Sequence, residues 1–154
     1  VSRNRTGLVA AALLFAGCGG DRAAAGGSAE VPGVRVTRAV AWGTPGVQGG
    51  SAGFEVELAT PDTLEGVSVD AGRAEVHASK HEGQHGMFPT GPLPLPAGRT
   101  VLDGEAYHVM LLDLPAALRA GDTVRLALRF ATAGELPVAV PVLRYSDALT
   151  ALGR

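Results

Sequence analysis

Along residues 53–59 the chain alternates: Phe54, Val56 and Leu58 are apolar, and Glu55 and Glu57 stand between them. A period of two sends successive side chains to opposite faces, so this stretch predicts a half-buried β-strand. The same reading predicts strands over 34–42, 64–69, 73–79 and 106–113, with a shorter one over 99–102. Within 73–79, Ala74, Val76 and Ala78 share one face, while Glu75, His77 and Ser79 share the other. Residues 122–131 and 135–142 predict a closing hairpin joined through Ala133-Gly134. Residues 114–120 predict one helical turn, and 81–96, with several Gly and four Pro, predicts a loop. The tail 143–154 fits a short helix or no fixed structure, and no role is assigned to it. Short strands at regular spacing, separated by turn signals, indicate an all-β antiparallel sandwich or barrel.

Composition agrees with that picture. The chain has 154 residues, enough for one domain, and its 22 Gly and 10 Pro favour turns over long helices. The segment ahead of the strands has a different character. Arg3 and Arg5 precede an apolar run over 7–16, which is too short to span a bilayer and suits the core of a signal peptide. It ends in Leu14-Phe15-Ala16-Gly17-Cys18, which resembles a bacterial lipobox with Phe15 in place of the usual Leu. Residues 1–17 are therefore expected to be cleaved and Cys18 to be lipidated. Residues 18–33, rich in Gly and Ala, would tether the lipid to a domain over 34–142. This places the domain on the extracytoplasmic, periplasmic side, held at the membrane through its lipid.

Cys18 is the sole cysteine, so a lipidated chain has no thiol left for disulfides, thiolate metal sites or Cys nucleophiles. Loss of 1–17 leaves 11 basic against 15 acidic residues. No basic patch emerges, and nucleic acid is not an expected partner.

The chemistry concentrates elsewhere. All four His and both Met of the chain fall between residues 77 and 110: His77, His81, His85, Met87, His108 and Met110. His108 and Met110 are two apart on a predicted strand, so an imidazole and a thioether point the same way. Val109 and Leu111 fill the other face. Thioethers are soft and neutral, and suit copper(I) far better than zinc, calcium or magnesium. Two imidazoles with two thioethers would hold a monovalent ion without a deprotonated thiol.

On these residues the chain resembles the periplasmic copper chaperone family PCuAC, which carries a His, a later Met, and then His-x-Met. Here the intervals are ten from His77 to Met87 and twenty-one from Met87 to His108, each one residue shorter than the family pattern. Gly50-Ser51-Ala52-Gly53-Phe54, Thr63-Leu64-Glu65-Gly66-Val67, Ala74-Glu75-Val76-His77, Leu95-Pro96-Ala97-Gly98 and Gly121-Asp122-Thr123-Val124 extend the likeness over about 34–142. The resemblance implies a cupredoxin-like Greek-key β-sandwich. It also implies copper(I) ligation by His77, Met87, His108 and Met110. The expected activity is non-enzymatic delivery of copper to a recipient, such as a cytochrome c oxidase subunit or a thiol-based assembly factor. A copper-sequestering lipoprotein would use the same four ligands.

One competing pattern is present. His81-Glu82-Gly83-Gln84-His85 matches the H-E-x-x-H signature of zinc proteases, which needs a helix to bring both His to one metal. Gly83 and Gly86 interrupt any helix there, and Pro89 follows. His81 and His85 fit better as auxiliary contacts, with an imidazole preference for copper(II), or as solvated loop residues.

Overall fold

The computed structural model describes residues 26–81 and 84–154, without the side chains of 80, 81, 84 and 85. The expectations for residues 1–17, Cys18 and the start of the tether lie outside the described residues. Eleven strands and one helix follow in order: β1 (Gly27–Val31), β2 (Val34–Gly43), β3 (Gly50–Leu58), β4 (Asp62–Val69), β5 (Arg73–His81) and β6 (Gln84–Pro89), then β7 (Leu93–Leu95), β8 (Gly98–Leu102), β9 (Tyr107–Leu112), β10 (Thr123–Phe130), β11 (Gly134–Pro141) and α1 (Tyr145–Leu152). They form two antiparallel sheets. The larger runs β1-β2-β3-β9-β5-β6, with β8 paired to the far half of β3; the smaller runs β11-β10-β4-β7.

The inward faces follow the alternation in sequence. Phe54, Val56 and Leu58 of β3 pack with Val76, Val109 and Leu111 from β5 and β9. Leu126, Leu128 and Phe130 of β10 and Leu136, Val138 and Val140 of β11 close the core from the smaller sheet. This apolar layer, excluded from water, supplies the main drive to fold. The predicted hairpin is present in full register, from Thr123 opposite Pro141 to Phe130 opposite Gly134. Gly134 has φ 83°, a left-handed conformation that Gly adopts without steric penalty.

Asp62 locks that hairpin to the start of β4. Its carboxylate accepts the backbone N–H groups of Thr63, Thr132 and Ala133 at 2.7, 2.9 and 3.0 Å. Burial alone would raise its pKa, but these backbone donors outweigh it and hold the group below 3.8. A pKa depressed in the fold adds stability that is complete above the unfolded value and is lost as pH falls through the folded one. Asp62→Ala is therefore expected to lower the melting temperature at pH 7, and the gap to the parent should narrow towards pH 3. An undiminished gap at pH 3 would assign the effect to packing instead.

Three expectations are corrected. Residues 84–89 and 93–95 of the predicted loop form β6 and β7. Both are edge strands, where a missing Pro N–H leaves no ladder bond unmade on the open side. Part of the predicted tether, Gly27–Val31, is β1, an edge strand paired to β2. Residues 114–120 form bends and not a helical turn, with Leu114 buried and Leu118 packed on the core. The tail is helical: Ala148 and Leu152 of α1 bury against Val40 on the outer face of the larger sheet, beside Trp42. Gly53 lies under this helix. A Cβ there would come within 2.5 Å of the Leu102 carbonyl oxygen and 2.9 Å of a Leu152 methyl, so the close approach needs Gly.

Candidate metal centre

The outer face of the larger sheet, next to the helix-covered part, brings the soft and imidazole donors together. β5 and β9 pair antiparallel, with His77 directly opposite His108 and Glu75 directly opposite Met110. Four polar or soft side chains thus form a two-by-two block on one face. The intervening Val76 and Val109 point into the core and hold both strands in place. Met110 is also opposite Ser51 of β3, whose hydroxyl donates to the Met110 Sδ at 3.5 Å.

The two imidazoles are unusually dry. His77 is 9% exposed and His108 is 3% exposed. Their ring centroids are 6.0 Å apart and inclined at 54°. His77 Nδ1 and both ring nitrogens of His108 are buried with no hydrogen-bond partner among the described residues. Buried polar atoms normally find partners, so three such nitrogens on facing residues fit ligands to an ion. Burial, and then the neighbouring His77, push the His108 pKa below 6.5, which favours the neutral ring that a metal requires.

His77 Nε2 does have a partner, Glu75 Oε2 at 3.0 Å. Arg73 in turn donates to Glu75 Oε1 at 2.6 Å and to Asp113 Oδ2 at 2.8 Å. The hydrogen bond from His77 lowers the Glu75 pKa; burial opposes this and Arg73 adds to it, so the group is a carboxylate. Period two puts Glu75 on the face of His77, but nothing else in the sequence marks it for a role. Its two-residue spacing from His77 was the available signal.

The remaining candidates are dispersed. Met87 lies on β6, two residues before Pro89, which pairs with His77, and it is 61% exposed. The β5–β6 pairing has a register shift between Ala78 and Lys80, which interrupts the alternation around Met87 at the open edge of the sheet. The structure therefore joins His77, His108 and Met110 in one patch and leaves Met87 beside it in solvent. His81 pairs with Gln84, and Lys80 with His85, in the β5–β6 hairpin. The two His thus stand on opposite strands and not on one helical face, contrary to what the zinc-protease pattern requires. Their side chains lie outside the described residues. No group of three or more His, Cys, Asp or Glu suited to a metal occurs among the described residues.

Comparison with known structures agrees with the fold. The apo PCuAC domain from PmoF1 superposes with a TM-score of 0.64 at 24% identity, over 76% of this chain and 98% of that one. The copper-bound PCuAC domain from PmoF2 gives 0.61 at 20% identity, over 76% and 97%. The solution structure of CuI-DR1885 from Deinococcus radiodurans gives 0.57 at 26% identity, over 70% and 76%. The fold is the cupredoxin-like β-sandwich of these PCuAC domains. In sequence, a "Putative lipoprotein" of Leifsonia xyli subsp. xyli (strain CTCB07) is 44% identical over 55 residues, which is 35% of this chain and 33% of that protein. The chain thus spans about a third of the length of this curated relative. A family model described as "Putative lipoprotein LpqE-like" matches residues 30–142, most of the chain and both sheets, and the chain belongs to this LpqE-like family.

Proposed function

We propose that this protein binds one copper(I) ion through His77, His108 and Met110, with Met87 as a fourth ligand, and carries it to another protein. The observation that carries this reading is the pair of buried, facing imidazoles with unpartnered nitrogens beside a thioether on the same face. The donor set is neutral and mixes nitrogen with soft sulfur, which selects a monovalent soft ion over zinc or calcium. The copper-bound PmoF2 domain and CuI-DR1885 share the fold and support the choice of metal.

The arrangement also suits transfer. His77, His108 and Met110 sit on paired strands and lose little freedom on binding, whereas Met87 is exposed at the sheet edge and must be ordered. Met87 is then the ligand that leaves first, and a recipient's ligands enter from the β6 side. The recipient proposed is a thiol-based assembly factor or the copper-receiving subunit of cytochrome c oxidase. His81 and His85, in the adjacent hairpin, offer imidazoles to copper(II). Cys18 carries the lipid that holds the domain at the extracytoplasmic face of the membrane. No enzymatic step is required of any residue.

Anaerobic copper(I) titration followed by X-ray absorption tests the reading. The expected result is one copper per chain with both nitrogen and sulfur neighbours. Retention of zinc in preference to copper(I), or a copper shell without sulfur, would refute it. Met87→Leu removes one sulfur at similar volume. Its affinity loss, read by competition with a copper(I) chelator, should stay below about tenfold, or about 1.4 kcal/mol, because ordering Met87 already offsets part of its bond.

A further inference from the structure

Glu75 is the one charged side chain inside the block, and copper(I) held by neutral donors does not call on it. Its bonding nevertheless decides the state of His77. A carboxylate has no hydrogen to donate, so the 3.0 Å contact requires His77 Nε2 to carry the proton. A metal-binding imidazole is neutral and has a single N–H, which leaves the lone pair on Nδ1. Nδ1 is the nitrogen that is buried and has no partner among the described residues. Glu75 is itself fixed, because its other oxygen accepts from Arg73, which is clamped by Asp113. His108 has no comparable partner on either nitrogen among the described residues.

We propose that Glu75 is a positioning residue that holds His77 in its Nε2–H form and thereby assigns Nδ1 as the copper donor. The proposal rests on the copper(I) reading above and deepens it, since it names the donor atom and the outer residue that sets it. Metal-binding His rings commonly donate their second N–H to such a carboxylate, and losing that partner typically weakens metal binding about 10–100-fold.

Glu75→Gln tests this at constant shape. Arg73 presents only donors, so it claims the amide oxygen and turns the amide NH2 towards His77 Nε2. Nε2 must then accept, and the ring proton moves to Nδ1. Nitrogen-resolved NMR of the metal-free protein should show His77 protonated at Nε2 in the parent and at Nδ1 in Glu75→Gln. Copper(I) affinity should fall about 10–100-fold in the variant. Adding Arg73→Met frees the amide to turn its oxygen to Nε2. The double variant should regain the Nε2 proton and most of the affinity, although it still lacks the carboxylate charge. A parent protonated at Nδ1 would overturn the proposal, as would a Glu75→Gln variant that binds copper(I) as tightly as the parent. A double variant with the proton back on Nε2 but affinity still low would also overturn it, by tracing the effect to charge. The proton positions are read without metal, so failure of the parent to take up copper(I) would refute the copper reading separately.

Discussion

Met110→Leu is expected to weaken copper(I) binding by more than the roughly 100-fold that loss of an outer partner costs, with little change in the fold. Met110 is flanked by Ser51 on β3 and Glu75 on β5, and its sulfur is placed by a strand and not by a loop. Leu keeps nearly the same volume and apolarity, so the exchange should alter stability by less than about 1.5 kcal/mol. What it removes is the soft donor that distinguishes this site from a zinc site. Ser51 also loses a weak acceptor, but its hydroxyl can rotate to another partner. Chelator competition would measure the affinity, with thermal melts of the metal-free proteins as the folding control. Equal binding by parent and variant, with equal melts, would remove Met110 from the site and take the main support from the copper(I) reading.

This pair was readable in the sequence because period two alone puts His108 and Met110 on one face. The partition of β5 into Val76 inward and His77 outward was readable for the same reason, as were β3 and the β10–β11 hairpin. That His77 stands opposite His108, and Glu75 opposite Met110, was not. Cross-strand register depends on the turns and on the hydrophobic match between strands far apart in sequence. The edge strands escaped for a different reason. Gly27–Val31 has no strong alternation, and Gln84–Pro89 carries Gly86 and Pro89, which are turn residues in most settings. Edge strands tolerate such residues because one side makes no ladder bonds. The family spacing led to His77, Met87, His108 and Met110 together, yet only three of them are seated in the patch. Met87 is on an exposed edge, where sequence spacing carries no information about order.

His108→Leu is expected to abolish copper(I) binding and at the same time to stabilise the metal-free protein by about 1–3 kcal/mol. The first effect follows from removing an imidazole that faces His77 across β5 and β9. The second follows from its surroundings. His108 is 3% exposed, and neither ring nitrogen has a partner among the described residues. A buried polar group left unpaired carries its full desolvation penalty, and an apolar side chain of similar size removes that penalty. Acid should widen the difference. Burial, and then His77, lower the His108 pKa below 6.5, so near and below that pH the unfolded chain binds a proton that the fold resists. The parent therefore loses stability as pH falls through about 6.5, and the variant does not lose it at this site. Copper(I) should reverse the order, because a ligand that binds only the folded protein stabilises it by RT ln(1 + [L]/Kd). Melts at pH 7.5 and 5.5, with and without copper(I), would show the metal-free variant above the metal-free parent and the loaded parent above the variant. A metal-free variant that melts below the parent at both pH values would mean that the His108 ring is satisfied in the fold. Its open nitrogens would then no longer argue for a metal.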